Sequence, residues 1–546
     1  MRRCMTSGCR EVGMKGIVVG ALIVLIAILL AGQQGQHVRT PMILDWTQQH
    51  VLFSGSANYA LMAKLQSDPR FLWQQLRRRG RWPGGGGSAE HRDWSVNLAG
   101  GVGGQTFPVK YVFDVTQAPS CSDFVVTGNN VAGSATHANI IGVNKLYTGT
   151  GGLCGTGTAP NVMFAYNVGP GTVPASVAVS LDGTKVAFIE DNGGTTTYFH
   201  VLTYVAGTNN GSATAPVAVP SGADVKLAMS AATTNTIFVD YMHDAAYATS
   251  GTTITKFSPV FKGTLAKVTT GGWPVTIAGA GTLSTPVYDQ VTRHLFVEDT
   301  AGVVRYVDDS VVPAAVGANT WAFATTDTAR PPIVDSANQT VYMYSPNGSS
   351  GSLIGQDDMT LDSGTGIRVT VGVGAIGTHL TPLAPDFSNG YYTGVGTPYL
   401  YAVGNNNTEP SLYRVGFTKN AAGTLVMNST TLNGPLSLST ANADASSVTE
   451  FYNATTLKEY LFVGVSTACS TAVTTGCIRS LDITSGFPAS ANPGTGNNNA
   501  ILAAGGGTSG ITVDNNNSTS VGQAASIYYV TLTGNALVKS TQLGLN

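Results

Sequence analysis

The 546-residue sequence predicts an all-β fold, a β-propeller, from three observations. A polar turn between a short strand and a strongly apolar one recurs after residue 110. It reads VSLDGTKVAF from Val179, TPVYDQVTRHLFVED from Thr285 and PPIVDSANQTVYMYS from Pro331. It returns as PLAPDFSNGYYTGVGTPYLYAVGN from Pro382, SSVTEFYNATTLKEYLFVGVS from Ser446 and SGITVDNNNSTSVGQAASIYYVTL from Ser509. Such units cannot bury their apolar faces alone, so they stack into an array or a closed ring. In addition, the second strand of each unit reads as apolar on both faces. These runs are Val186–Ile189, Ile237–Val239, Leu295–Val297, Val341–Tyr344, Tyr399–Val403, Leu461–Val465 and Ile527–Val530. A blade sandwiched between two neighbours needs such a strand. Finally, the unit starts are evenly spaced, near Tyr111, Ser176, Val225, Ser284, Arg330, Pro382, Ser446 and Ser509. Eight blades suit residues 93–546 at about 57 residues each, and seven at about 65 is the alternative. The segment Trp94-Ser95-Val96-Asn97-Leu98 is expected to supply the outer strand that the last unit lacks, closing the ring.

From the N-terminus, Gly16 to Gly32 is an unbroken apolar run preceded by Arg2, Arg3, Arg10 and Lys15, the pattern of an export signal. Two readings stay open for residues 1–32. A cleaved signal peptide needs small residues before the cut, and Leu30 sits poorly at the third position back. A membrane anchor needs roughly 17–25 apolar residues, which the run just meets. Cys4 and Cys9 precede the run, so neither is a lipoprotein acceptor. Residues 33–79 read as a partly helical stalk. MILDWTQQHVLF is apolar at Ile43, Trp46, Val51 and Phe53, and SDPRFLWQQLRR opens with a cap at Ser67-Asp68 and Pro69 in the first turn. Residues 80–92, with the run RRRGRWPGGGG beginning at Arg77, read as a basic glycine-rich hinge. Beyond Asp93 the pattern is of short strands separated by Gly, Asn and Asp turns, with no helix.

Charged residues make up 11% of the chain, against roughly 25% in an average soluble domain. Hydrophobic residues make up 43%, so the composition is not that of a disordered chain. Residues 1–92 carry twelve Lys and Arg against four acids, and the remainder sixteen against 26. An acidic body without a basic stripe argues against nucleic-acid binding. Four cysteines lie in turn-rich stretches, and proximity pairs Cys121 with Cys154 and Cys469 with Cys477. No CxxC and no neighbouring His suggests a metal there, so disulfides in an oxidising compartment are expected.

The segment SLDGTKVAF, Ser180 to Phe188, resembles the SPDG-type repeat of TolB-like and YVTN-type bacterial propellers, with Leu181 where that family has Pro. TPVYD from Thr285 and SIYYVTL from Ser526 are more similar to quinoprotein-type blades. Residues 93–546 also resemble exported bacterial propeller proteins that begin with an apolar segment. The resemblance implies a fold and an exported location rather than an activity.

Chemistry is sparse. A quinone-dehydrogenase propeller repeats a docking Trp from blade to blade, whereas four of the six Trp here lie at or before Trp94. No GxSxG pentapeptide marks a hydrolase elbow. The GxGxxG at Gly372, Gly374 and Gly377 leads to Pro382 and Pro385, which forbid the phosphate-binding helix. Asp240, His243 and Asp244 form the best polar cluster, a weak metal-site or general-base candidate whose bland reading is a hydrogen-bonded turn. The pairs Glu298-Asp299, Asp308-Asp309 and Asp357-Asp358 offer calcium-type oxygens without EF-hand spacing. No cofactor is predicted, although a structural calcium is compatible with these acids. The expectation is an exported, membrane-anchored, non-catalytic propeller in the bacterial cell envelope. Its surface would meet a protein or carbohydrate, or other copies of itself. An extracellular glycan hydrolase or lyase and a self-assembling surface protein are the alternatives.

Overall fold

The computed structural model describes residues 39–542, apart from 56–58, 79–90, 105, 150–151, 158, 194–195, 207–209, 325–328, 347–350, 363–365, 375–383, 495–496 and 516–521. The expected anchor or signal (1–32), the start of the stalk, Gly377 and most of the hinge lie outside the described residues. Pro41–Asn546 forms one compact unit.

Thirty-two of the strands group in chain order into eight four-stranded antiparallel sets. Their first strands are Val109–Val112, Ala178–Val179, Phe238–Asp240, Val287–Tyr288, Ile333–Asp335, Asp386–Phe387, Thr449–Asn453 and Thr512–Asn515. This is a β-propeller. A parallel pairing of Gly372–Val373 with Asn405–Asn406 joins the fifth and sixth sets into one larger sheet. The eighth set has three strands from the C-terminal end and takes its fourth from strand β3 (His91–Asn97), which pairs antiparallel with Ala536–Thr541. Trp94 stands opposite Lys539 in that pairing, as the closure expectation required. The second strands are buried on both faces, Val186 to Ile189 at 2% exposure or less and Leu461 to Val463 at 0%. The turn after Ser180 shows how the repeat is built. Asp182 accepts hydrogen bonds from the Thr184 backbone and from the Ser180 and Thr184 hydroxyls. Gly183 adopts φ +69°, and a Cβ there would lie 2.6 Å from the Tyr111 ring.

Three details depart from the sequence reading. Ile237–Val239 belongs to the first strand of its set, and the second is Ala245–Ser250 (AAYATS, small residues apart from Tyr247). Val225, read as a unit start, lies in the outer strand of the second set (Asp224–Ala228). A one-turn helix, Asn389–Thr393, interrupts the turn after Asp386–Phe387.

Alternation of direction gives the propeller two faces. Turns after the first and third strands lie on one, here the near face. Turns after the second strands, with the connections between sets, lie on the far face. The expected stalk is folded into the propeller rather than standing off it. Strand β1 (Met42–Leu44) runs antiparallel to Val109–Val112, with Met42 opposite Val112, so Pro41 sits at the near face. A 3₁₀ turn (Trp46–Gln49) reverses the chain, and β2 (Val51–Leu52) returns parallel to Ile333–Asp335. Helices α1 (Tyr59–Leu65) and α2 (Pro69–Arg78) follow. The apolar spacing of MILDWTQQHVLF looks helical, but its backbone groups bond to the edges of two inner strands. Those edges would otherwise remain unpaired.

Candidate functional site

A propeller gathers residues from every blade at its axis, where ligands commonly bind. Here residues 41–78 occupy that place. β1 pairs with the inner strand of set one and β2 with that of set five. Gln49 donates to Val448 O at 2.7 Å and to Thr449 Oγ1 at 2.6 Å in set seven. Arg70 donates to Val239 O at 2.8 Å in set three. The segment therefore touches sets one, three, five and seven. Near the far face, Trp46 and His50 close the axis, leaving a cavity of about 20 Å³ among Phe107, Thr236, Thr285, Pro331 and Ser447. That is room for about one water. Burial drops the His50 imidazole to about 4, so it is neutral, with Nδ1 3.0 Å from Trp46 O.

Two arginines of α2 fix the segment. Arg70, 3% exposed, donates to Thr47 Oγ1 at 2.9 Å and pairs with Asp68 at 3.5 Å. Its guanidinium lies 4.8 Å from the Phe238 ring centre and 4.9 Å from that of Tyr241. Burial disfavours its charge, but Asp68, Tyr241, Asp45 and Asp240 outweigh burial and raise it. Arg78 grips Glu450 with both ends, at 3.1 and 2.6 Å, and donates to Asn389 Oδ1 at 3.0 Å. It stacks 3.6 Å from the centre of the Tyr392 ring. Tyr392 donates to Asp386 at 2.7 Å, and Asp386 also accepts from the Glu450 backbone at 2.7 Å. Burial, reinforced by Glu450, lifts Asp386 to about 7 and Glu459 to about 8. Glu459 therefore holds its proton at neutral pH.

This arrangement sets a pH dependence. A carboxyl raised in the folded state contributes stability that is fully present below about 4.5. That contribution is lost as pH rises through about 8, because the unfolded chain releases its proton first. Glu459→Gln mimics the protonated side chain. The variant is expected to match the parent near pH 5 and to exceed it in Tm near pH 9, checked by thermal melts across that range. Equal Tm differences at both pH values would contradict the assignment. The lowered His50 acts oppositely, losing stability only as pH falls from about 6.5 toward 4.

The residues singled out from the sequence fall elsewhere. His243 Nδ1 lies 2.7 Å from Asp240 Oδ2 on the near face. Asp244 turns away, at φ +48°, and its carboxylate accepts from the backbones of Val260, Phe261 and Lys262. Asp240 and His243 are brought together and Asp244 is not, and the Asp240 charge also acts on Arg70. Among the described residues no three His, Cys, Asp or Glu side chains cluster as metal ligands. In the acidic pairs, neighbouring carboxylates point to different partners. Asp299 holds Arg305 at 3.1 Å, whereas Glu298 accepts from the Arg330 backbone at 2.6 Å and burial lifts it to about 8. Asp309 accepts from Tyr247, Lys256 and Trp273, and Asp308 from Ser310. Asp358 accepts from Thr360, and Asp357 from the Asp358 backbone. Sequence reasoning missed Arg70, Arg78, Asp386, Glu450 and Glu459. The one signal was the amphipathic α2, whose arginines read as hinge charge.

Toward the far face, an open pocket of about 780 Å³ lies between the rims of sets six and seven, one wall supplied by the long turn that follows Thr475–Asp482. Hydroxyls of Ser437, Ser439, Thr440, Ser470 and Ser490 line it. Disulfide Cys469–Cys477, Cα atoms 6.3 Å apart, braces one wall, and Cys121–Cys154, at 5.5 Å, ties two near-face loops of set one. Both point to an oxidising compartment. Arg479, 2% exposed, donates to Leu438 O, Ala491 O, Cys469 O and Asn492 Oδ1, pinning three loops around the pocket. Burial lowers it to about 10.

No protein-family model and no curated protein matches the sequence. Among solved structures, BamB from Moraxella catarrhalis is similar at 13% identity and TM-score 0.42, covering 83% of this chain and 98% of its own. Sqt1 from Chaetomium thermophilum is similar at 12% identity and TM-score 0.43, with coverage of 83% and 98%.

Proposed function

We propose that the chain is a non-catalytic propeller of the cell envelope that presents its far-face rim to a protein partner, its axis occupied by its own N-terminal segment. The observation that carries this reading is the filled axis: residues 41–78 take the place where a catalytic or small-ligand site would assemble. The open concavity lies instead at the rim, on loops held by a rigid frame. On this reading the eight sets are eight blades, and Gly16–Gly32 remains as an anchor.

A photo-crosslinking residue at Thr471 or Ser490, both exposed beside the rim pocket, tests the function in cells of the native host. A discrete adduct with one envelope protein, lost when Ala472→Trp fills the pocket, is the expected result. An adduct with a second copy of the chain, or with glycan alone, would overturn it in favour of self-assembly or carbohydrate binding. The mass of the mature N-terminus tests retention of the anchor.

A further inference from the structure

The two faces differ in what they expose. On the near face, large apolar side chains stand in water. These are Val312 at 86%, Val395 at 77%, Leu457 at 64% and Met242 at 47% in turns of four different sets, with Tyr59 at 97% and Leu72 at 46% on α1 and α2. On the far face, among the described residues, the exposed large apolar side chain is Val373. Charge is divided in the same way. Lys64, Lys145, Lys262, Arg293 and Lys419 are exposed on the near face. The exposed carboxylates there are Asp182 and Asp362, while Asp114, Asp224, Asp244, Asp308, Asp358, Glu459 and Asp482 are partly exposed, as are Lys185 and Lys458. Among the described residues, the far-face turns and connections hold no exposed Lys or Arg.

Pro41 lies at the near face, and the apolar run Gly16–Gly32 ends nine residues before it in sequence. Nine residues span at most about 32 Å, so an inserted run would hold this face at the bilayer. Among the described residues no helix is long and apolar enough to cross a membrane. The face itself carries dispersed apolar tips among basic residues, the pattern of a surface that rests in the headgroup region of an anionic bilayer.

We infer that the near face is a membrane-docking surface. Val312, Val395, Met242 and Leu457 enter the headgroup layer, the basic residues meet anionic lipid, and the far-face pocket is turned away from the membrane. This inference rests on the anchor reading above, and the test separates the two. The full-length protein is reconstituted into vesicles of phosphatidylethanolamine and phosphatidylglycerol at 3:1. A fluorescent amino acid is placed at Val312 or Val395, or at Val373 or Thr136 on the far face. Flotation with the vesicles reads the anchor, and quenching by brominated lipid reads the docking. Quenching several-fold stronger at Val312 and Val395 than at Val373 and Thr136 is expected. It should fall by at least half without phosphatidylglycerol, or when Met242→Glu and Leu457→Glu are combined. Flotation with equal, weak quenching at all four positions would overturn docking while leaving the anchor. Absence of flotation together with absence of quenching would overturn both. Shielding of Val312 from an aqueous quencher without lipid quenching would overturn docking in favour of a protein at this face.

Discussion

Arg70→Met is expected to destabilise the protein by about 3–5 kcal/mol, the usual penalty for removing one partner from a buried ionic group. The guanidinium is the cation that Asp45, Asp68 and Asp240 share at the axis. Without it Asp45 and Asp68, both about 5–6% exposed, remain buried without their counter-charge. Burial already pushes both carboxyls above their ordinary range despite Arg70. Lysine should not rescue the site, since one ammonium cannot reach Thr47, Val239 and Asp68 together or stack between Phe238 and Tyr241. At about 2.1 cal/mol/K per residue, the expected drop in Tm is roughly 3–5 °C. A melt within about 1 °C of the parent would contradict a structural role for the axial segment.

Asp93→Ala should cost a similar amount by opening the closure seam within set eight, between β3 and Ala536–Thr541. Asp93 accepts from Thr541 Oγ1 at 3.0 Å, lies 2.8 Å from His91 Nε2 and pairs with Lys539, which is 0% exposed. Beside it Lys110 of set one, also 0% exposed, pairs with Asp514 of set eight and donates to Tyr147 of its own set at 2.8 Å. Removing Asp93 leaves Lys539 buried without its carboxylate, where burial already depresses its charge. Lys539→Met in the Asp93→Ala background should recover part of the loss, because an apolar replacement removes the unpaired charge. Additive losses in the double variant, by thermal melts, would show that the pair does not act as a unit. Deleting residues 93–98 removes the strand itself and exposes an unpaired edge, so it should be more damaging than either substitution.

The repeat was legible because each set spends its sequence on the same problem. It needs a small polar turn such as Ser180–Thr184 and a second strand buried on both faces. The third set broke the pattern because its second strand, Ala245–Ser250, has small residues everywhere but Tyr247, leaving Ile237–Val239 as the conspicuous run. Both cysteine pairings were legible from proximity, since each closes a local loop. The axial segment was not legible. Its apolar positions at Ile43, Trp46, Val51 and Phe53 satisfy a helical spacing equally well, and only the inner strands of sets one and five decide for extended chain. The charged pairs at the axis and seam were hidden for a related reason. Their partners are far apart in sequence, 372 residues for Arg78–Glu450 and 404 for Lys110–Asp514.

Occupation of the axis by residues 41–78 is the central claim, and cleavage of the full-length protein beside Arg79 or Arg81 tests it directly. Trypsin under native conditions should cut there, since the run between α2 and β3 is rich in Arg and Gly. The N-terminal fragment should then remain with the C-terminal fragment, which begins at Gly80 or Trp82, through native mass spectrometry or gel filtration, and separate only in denaturant. Denaturing mass spectrometry confirms the cut independently. Release of the N-terminal fragment in native buffer, with the larger fragment still folded, would contradict an axis built around this segment.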